Sequence, residues 1–151
     1  YILSESRWVI SVGGPLRSTV KKRIILVGDV AGQTKPTTGG GIVSSIVCGT
    51  IAGRISGLAS TRNDYTLLDM YEALWRKFLG FNFKIQKIAR KAVDRMHWRT
   101  LSSIVESISR EYQELRVVDL DTQIDLILKL ISSPDLASKI VGSLLKPRTY
   151  R

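Results

Sequence analysis

The chain has 151 residues, of which 44% are hydrophobic and 24% charged, so it can bury a core and is not a disordered polypeptide. A single cysteine, Cys48, excludes an internal disulfide, and a single histidine, His97, excludes the Cys/His spacing of a zinc site, which favours a reducing, cytoplasmic location. The net charge of +10 predicts an acidic partner, whether nucleic acid, anionic lipid headgroups or a protein, without choosing among them.

The first elements predicted along the chain are two short strands. Because the sequence starts at Tyr1 and no signal segment precedes the first apolar stretch, we expect an internal point of a longer polypeptide, such as a truncated gene product or an expressed fragment. Residues 8–12 have the composition of a strand, and residues 23–27 form a β-branched run that ends at Gly28. Both segments are therefore predicted as strands.

A loop and a long helix are predicted next. Small and polar residues, a proline and three consecutive glycines predict a loop over residues 30–41. The following helix, from Ile42 to about Ser60, is apolar or small almost throughout, so we expect it to be buried on most sides. Its glycines, at four-residue spacing, also suit a membrane-spanning helix, but Arg54 and several hydroxyl side chains dilute the stretch, so close packing in a soluble fold is preferred.

The rest of the chain is predicted to be helical. Apolar residues at intervals of three or four predict a helix over residues 67–78, with Asn63 or Asp64 as its cap. A break is predicted over residues 80–82, followed by a basic helix that ends near His97. Two further amphipathic helices follow, and the last helix covers residues 134–145; the apolar positions of the first two are Leu101, Ile104, Val105, Ile108 and then Ile124, Ile127, Leu128, Ile131. The sequence thus divides into a first region, 1–62, and a helical region, 63–151.

The loop over residues 28–41 has the features of a site for a large anionic cofactor. Asp29 leaves the end of a predicted strand, where its carboxylate can accept hydrogen bonds from sugar hydroxyls. The three glycines, Gly39 to Gly41, allow close approach of the backbone, and they precede a helix whose dipole favours an anion. A glycine-rich loop before a helix is also typical of a flexible connection, so the glycines alone leave both interpretations open.

A longer string resembles a known motif. Residues 28–42, GDVAGQTKPTTGGGI, closely resemble the second FAD motif of the p-hydroxybenzoate hydroxylase superfamily, and the KPTTGGG ending looks like the archaeal geranylgeranyl reductase branch. The preceding SVGGPLRSTVKKRIILV and the YExxWR text at residues 71–76 are similar to that branch, and the resemblance ends near residue 80. By position, the resemblance assigns contacts with the flavin to Asp29, Gly40, Gly41 and Ile42, with Gly28 and Gly32 in the same loop.

The resemblance implies a fold and a partner. It implies an α/β fold: the C-terminal part of an FAD-dependent oxidoreductase, with one or two strands, the FAD loop and a buried helix, followed by an all-helical extension. The GxGxxG fingerprint of the family's N-terminal dinucleotide site is absent from the chain. A missing N-terminal FAD-binding half is therefore an expected partner.

The resemblance also implies an activity, namely FAD-dependent reduction of C=C bonds in the geranylgeranyl chains of archaeal membrane lipids. It implies a prenyl lipid as substrate and a reduced electron donor, either NADPH or a ferredoxin-like protein. No side chain stands out as a catalytic acid, so the catalytic residues stay unassigned, and no metal is expected. Another flavoprotein, such as an electron-transfer-flavoprotein dehydrogenase or a hydroxylase, would share the same loop.

A non-enzymatic basic helical module is the alternative from a different class. Half of the excess positive charge lies within residues 65–100, where Phe78, Phe81, Phe83 and Trp98 alternate with basic side chains. This pattern can bind a membrane surface, so peripheral membrane contact of a cytoplasmic protein is one expectation, and a solvated helix face is the simpler one. Nucleic acid is the least favoured partner, because no helix-turn-helix, RNA-binding strand motif or zinc finger is present.

Overall fold

The computed structural model describes residues 3–111 and 132–145. Its first regular element is a two-stranded antiparallel hairpin. Its strands are β1 (Val20–Lys21) and β2 (Ile24–Ile25), and Val20 pairs with Ile25. The tight turn between them places Lys22 at a φ of 56°. The strand predicted over residues 23–27 is therefore confirmed in a shorter form, and its partner β1 lies where no strand was predicted.

The strand predicted over residues 8–12 is wrong. This segment forms no strand within the part of the chain that the structure describes, and the side chains of Trp8 and Val9 are 74% and 88% exposed. A β-rich composition makes a strand only where another strand satisfies its backbone hydrogen bonds, and no such neighbour occurs among the described residues. The segment is instead tied to the loop, because the Thr34 hydroxyl donates a hydrogen bond to the carbonyl of Ser11.

The loop after the hairpin leads directly into the longest helix. A 3-10 turn covers Gly28–Ala31, irregular backbone follows, and helix α1 covers Ile42–Arg62. The predicted start of this helix at Ile42 is confirmed. Asn63 ends it in the left-handed conformation, with its amide bonded to the last turn.

The expectation that α1 is buried on most sides is wrong. Only one stripe of small and apolar side chains is buried, namely Ser44, Cys48, Ala52, Ile55 and Ala59. On the other side, Ile42 is 80% exposed and Ile46 is 64% exposed. A β-carbon added at Gly49, Gly53 or Gly57 would meet nothing within 4 Å, so the predicted close packing of these glycines does not occur among the described residues. The apolar composition of α1 indicated burial, but the elements described here cover one side only.

By length and composition alone, α1 could also cross a membrane. Core helices of soluble proteins have the same properties, and the buried stripe of α1 packs within this chain.

After α1 the backbone stays helical for about thirty residues, with changes of helix type. A 3-10 turn at Tyr65–Leu68 begins with Asp64, whose carboxylate accepts the amide of Thr66 at 3.0 Å, so the predicted Asp64 cap is confirmed. Helix α2 (Asp69–Trp75) follows, then one π-helical turn at Arg76–Gly80, then helix α3 (Phe81–Val93).

The break predicted over residues 80–82 is wrong. Gly80 closes the π-helical turn, and Phe81 continues in helical conformation. Glycine and asparagine lower helix propensity, but tertiary packing overrides it here, because the Phe83 ring packs edge-on against Trp75 with centroids 6.3 Å apart. The wider π turn adjusts the phase of the helix so that both rings reach the same core.

The core of the first compact unit, Tyr1–Lys87, is built from the buried stripe of α1 and the helices after it. The buried stripe packs against Leu68, Tyr71, Trp75 and Phe83, and the hairpin contributes partly buried side chains. Residues up to 62 and the segment 63–87 therefore share one packed unit.

The second compact unit, Ile88–Arg151, contains helix α4 (Trp98–Glu111) and helix α5 (Pro134–Leu145), which contact each other. Both helices lie where the sequence predicts them. The basic helix α3 ends at Val93, slightly before the predicted end near His97. The helix predicted around Ile124 to Ile131 lies outside the described residues.

Candidate flavin-loop site

The loop that carries the predicted site is closed at its base by a glutamine. Gly28 has a φ of 74°, which favours glycine, and its amide donates to Oε1 of Gln33 at 2.9 Å. The amide of Gln33 donates in return to the carbonyl of Gly28 at 3.0 Å. Gln33 is fully buried, so this reciprocal pair fixes the short 3-10 turn in which Asp29 lies.

The second half of the loop folds back onto the start of α1. The amide of Lys35 donates to the carbonyl of Gly40 at 2.8 Å, and the amide of Gly39 donates to the carbonyl of Lys35 at 2.8 Å. The Ser44 hydroxyl, in the first turn of α1, contacts the carbonyls of Gln33 and Gly41 at 2.5 and 3.1 Å. The first turn of α1 therefore holds both Gln33 and Gly41, at the two ends of the second half of the loop.

The structure brings Asp29 and Gly41 together. A β-carbon built on Gly41 would lie 2.8 Å from Oδ1 of Asp29 and 3.1 Å from the methyl group of Thr34, so only glycine fits without a shift. Gly41 is also the N-cap of α1, with no side chain to satisfy the first amides of the helix. An exposed carboxylate and a bare helix N-terminus thus lie side by side.

The start of α1 carries the positive end of the helix dipole. The first amides of a helix have no intrahelical acceptor, and the dipole of the 21-residue α1 adds a partial positive charge there. Gly40 and Ile42 are both exposed at this end. The side chain of Lys35 lies close to Gly40, since a β-carbon on Gly40 would be 3.8 Å from its Cδ.

The two other predicted site residues, Gly28 and Gly32, are buried. A β-carbon on Gly28 would lie 2.9 Å from the hydroxyl of Ser45, and one on Gly32 would lie 2.6 Å from the carbonyl of Gly14. Packing within the chain therefore already explains why glycine is needed at both positions. Direct contact of either with a cofactor stays a prediction.

A network behind the loop was not predicted from the sequence. Nε2 of Gln33 donates to the hydroxyl of Tyr71 at 3.0 Å, and the carbonyl of Leu26 lies 3.3 Å from the same hydroxyl. Burial raises the pKa of Tyr71 to about 12, although the bond to Gln33 acts in the opposite direction. Gln33 lies in a polar loop where nothing marks it, and the only sequence signal for Tyr71 is its place in the YExxWR text.

The remaining residues of the YExxWR text hold the segment before the hairpin. Glu72 accepts the amide and the hydroxyl of Thr19 at 2.7 and 2.5 Å, and it accepts Nε of Arg76 at 2.6 Å. The indole of Trp75 donates to the Thr19 hydroxyl at 2.9 Å, and Arg76 donates to the carbonyls of Leu16 and Arg17. Burial raises the pKa of Glu72, but the bonds from Thr19 and Arg76 outweigh it and hold the pKa below its ordinary value.

Cys48 lies in the buried stripe of α1 and is fully enclosed. Burial raises the pKa of its thiol, with a hydrogen bond to Tyr71 acting in the opposite direction. A buried thiol that is protonated at neutral pH is a poor nucleophile, so Cys48 acts as a small core residue.

The exposed part of the loop has the chemistry that FAD requires. Ribityl and ribose hydroxyls need acceptors, which Asp29 offers, and flavin or phosphate needs close backbone amides, which Gly41 and Ile42 offer at the positive end of α1, with Gly40 beside them. The space that a side chain at Gly41 would need is taken by Asp29 and Thr34, so the backbone at Gly41 carries no side chain of its own beside the carboxylate. The residues present therefore fit the cofactor that the loop motif implies.

Comparisons with known proteins point to the same class. The chain is 34% identical over 139 residues to digeranylgeranylglycerophospholipid reductase 2 of Methanopyrus kandleri, covering 91% of this chain and 35% of the relative. It is 36% identical over 119 residues to digeranylgeranylglycerophospholipid reductase of Methanococcus vannielii, covering 75% of this chain and 30% of the relative. No protein-family model matches.

A solved structure shares the fold. The crystal structure of a geranylgeranyl bacteriochlorophyll reductase-like protein from Thermoplasma acidophilum superposes with a TM-score of 0.73 at 26% identity, covering 89% of this chain and 33% of that protein. The chain thus spans about a third of the length of the curated relatives and of this structure. On sequence and fold together, the chain belongs to the geranylgeranyl reductase family.

Proposed function

We propose that the chain contributes the flavin loop to an FAD-dependent oxidoreductase that reduces C=C bonds in the geranylgeranyl chains of archaeal membrane lipids. The observation that carries this proposal is the convergence of the Asp29 carboxylate and the N-terminus of α1 at Gly41. The names of the relatives, which are reductases of a digeranylgeranyl glycerophospholipid, support the substrate class.

Each exposed loop residue has a role in this proposal. Asp29 accepts a hydrogen bond from a ribityl hydroxyl, and the closed 3-10 turn fixes the backbone from which its side chain extends. The backbone amides at Gly41 and Ile42 approach the flavin ring at the positive end of the α1 dipole, with Gly40 beside them. FAD, when bound and reduced, supplies the hydride that adds to one alkene carbon while a proton adds to its neighbour. NADPH or a ferredoxin-like protein is the proposed electron donor.

The proposal includes a partner, the N-terminal two thirds of a family member, as part of the same polypeptide or as a separate chain. Two exposed apolar surfaces support it. The outer side of α1 exposes Ile42, Ile46 and the glycines at 49, 53 and 57, and the segment 8–10 exposes large apolar side chains. Apolar surface of this kind is typical of an interface, and a glycine face lets another backbone approach closely. We place the assembled protein in the cytoplasm, in peripheral contact with the membrane that holds its substrate.

The test is reconstitution with that partner. The chain is co-expressed with the N-terminal two thirds of the Methanopyrus kandleri relative, and the purified complex is examined for bound FAD by its visible absorbance. The Asp29→Ala variant should lower the affinity for FAD by about tenfold, because one charge-assisted hydrogen bond is worth about that factor. Asp69→Ala, which removes an exposed carboxylate at the start of α2, is the matched control and should bind FAD normally.

Activity is then measured on a geranylgeranyl phospholipid with chemically reduced flavin. The proposal predicts a product with two added hydrogens for each double bond reduced. A complex that binds FAD but leaves the prenyl lipid unchanged would instead support another flavoprotein, such as an electron-transfer-flavoprotein dehydrogenase or a hydroxylase. A complex that assembles but excludes FAD would contradict the flavin site and favour the non-enzymatic module.

A separate binding measurement tests whether the exposed glycine face of α1 contacts the partner. Gly53→Leu places a bulky side chain on the exposed glycine face of α1, where it meets nothing within the described chain. We expect association with the partner to weaken by about tenfold, because overpacking a close contact costs about 1–3 kcal/mol. Ser102→Leu on the exposed side of α4 is the control. Equal association of both variants with the partner would rule out this face as the contact surface.

A further inference from the structure

We propose that an aromatic-basic patch, formed by Lys77, Phe78, Phe81 and Lys84, binds an anionic phospholipid surface. Phe78 and Phe81 are each 62% exposed, although phenylalanine is among the residues most often buried. Lys77 and Lys84 are also exposed. The four residues span the π-helical turn and the start of α3.

Helical spacing places these side chains on one face. Residues three or four positions apart lie next to each other on a helix surface, which applies to Phe78 and Phe81, to Lys77 and Phe81, and to Phe81 and Lys84. The opposite face is anchored, because Phe83 packs against Trp75 and Gln86 accepts the Thr37 hydroxyl at 3.0 Å. The patch therefore points away from the core of its own unit and is held there by that core.

The charges around the patch leave it positive. Among the described residues no ion pair to Lys77 or Lys84 occurs, and the nearby carboxylate of Glu72 is bonded to Thr19 and Arg76. Burying two exposed phenylalanine rings would gain free energy from any apolar environment, but the two ammonium groups beside them need anions. An anionic bilayer surface offers both, with headgroup charge for the lysines and an acyl boundary for the rings.

The shape of the patch favours a membrane over nucleic acid. It lies on the exposed outer surface of a helix, whereas single-stranded nucleic acid is bound in positively charged grooves with stacking platforms. A helix that presents aromatic and lysine side chains together can lie in the plane of the headgroups. The patch shares no residue with the flavin loop, so membrane docking through it adds to the proposed function and does not depend on flavin binding.

The experiment is co-sedimentation of the 151-residue chain with vesicles of phosphatidylglycerol or of phosphatidylcholine. The chain should partition onto the anionic vesicles and not onto the zwitterionic ones, and added salt should weaken the binding. Lys77→Glu with Lys84→Glu should lower partitioning by about 25-fold or more, since each lost lysine contributes several-fold. Phe78→Ser with Phe81→Ser should lower it by about tenfold or more.

Matched variants separate this patch from general charge and apolarity. Lys21→Glu with Lys22→Glu removes the same charge from the exposed hairpin, and Trp8→Ser removes another exposed aromatic ring. Trp8→Ser, which changes no charge, should lower partitioning by less than about twofold. Lys21→Glu with Lys22→Glu should lower partitioning through the change in net charge, and by less than about twofold more than that. Circular dichroism should show unchanged helix content in all variants, because every substituted side chain is exposed.

Three results would overturn the inference. One is equal binding of the patch variants and the wild-type chain, and another is an equal loss of binding in the controls. The third is that the complex with the N-terminal partner no longer binds anionic vesicles, which would mean that the partner covers the patch. FAD binding by the same patch variants in that complex should be normal, so a failure of the docking surface is distinguishable from a failure of the flavin site.

Discussion

The Asp29 carboxylate lies against the α-carbon of Gly41, so closely that a β-carbon at Gly41 would stand 2.8 Å from Oδ1 of Asp29. The contact joins the 3-10 turn after the hairpin to the first residue before α1. The Asp29 carboxylate can therefore hold this position only because Gly41 has no side chain. Changing either residue should disturb the other.

Gly41→Ala should lower FAD affinity in the reconstituted complex by about tenfold while changing the free energy of unfolding of the chain by less than about 1 kcal/mol. The added methyl group meets the end of the flexible Asp29 side chain, which can rotate away at little cost to folding. The rotated carboxylate no longer points at a ribityl hydroxyl. Flavin titration and urea denaturation measure the two effects, and equal FAD affinity of both proteins would contradict the role given to Asp29.

Gly49→Ala is the matched glycine control. Its β-carbon would meet nothing within 4 Å, and alanine is the better helix former. The variant should therefore stabilise the isolated chain by about 0.5–1 kcal/mol and leave the Asp29 geometry unchanged.

Gly32→Ala should destabilise the chain by about 2 kcal/mol or more. Gly32 has a φ of 66°, which costs other residues about 1–2 kcal/mol, and its added β-carbon would lie 2.6 Å from the backbone carbonyl of Gly14. Unlike the Asp29 side chain, that backbone cannot rotate away, so the loop itself must move. Urea denaturation tests this expectation, and a loss smaller than that of Gly41→Ala would show that the loop adapts more readily than its hydrogen bonds suggest.

Tyr71→Phe should destabilise the chain by about 1–3 kcal/mol, because it leaves the buried Nε2 of Gln33 without its acceptor at 3.0 Å. Tyr65→Phe, at a partly exposed tyrosine beside Arg23, serves as control and should change stability by less than about 0.5 kcal/mol. Similar losses in the two variants would mean that the Gln33 bond contributes little.

Tyr71 also makes stability depend on alkaline pH. Its folded-state pKa, about 12, is raised above the ordinary value of 10.0, so the unfolded chain releases this proton more readily than the folded chain. The stabilisation is complete below pH 10 and is lost as pH rises through the folded-state pKa. Ultraviolet titration of the wild-type chain should include a tyrosine ionisation near pH 12, and Tyr71→Phe should remove that step.

Glu72→Gln should cost about 1–2 kcal/mol at neutral pH, because the carboxylate accepts both the amide and the hydroxyl of Thr19 and pairs with Arg76. The folded-state pKa of Glu72 lies below the ordinary value of 4.5. The advantage of the wild-type chain is therefore present above that value and is lost as pH falls through the folded-state pKa. Urea denaturation at neutral and acidic pH should show the two proteins converging in acid, and a constant difference would contradict the assignment.

Several elements were predictable because their signals are local. The start of α1 at Ile42, the Asp64 cap and the loop before α1 follow from glycine, proline and capping residues that act within a few positions. The exposure of one side of α1 was not predictable. An apolar composition indicates that a helix favours burial, but it does not indicate which part of which polypeptide covers each side. Likewise, the continuation of the helix through Gly80 depends on the contact of Phe83 with Trp75, which local propensity does not encode.

By itself, the sequence determined the family and the composition of the flavin loop, since the motif from Gly28 to Ile42 lies in consecutive positions and needs no long-range contact to be recognised. Only the tertiary structure decided how that loop is held. The bonds from Gln33 to Tyr71 and from Thr19 to Glu72 join residues far apart in sequence, and such pairs form only where the helices after α1 pack against the hairpin. A hydrogen bond requires a short distance and a suitable angle between donor and acceptor. For residues far apart in the sequence, both are set by the tertiary structure.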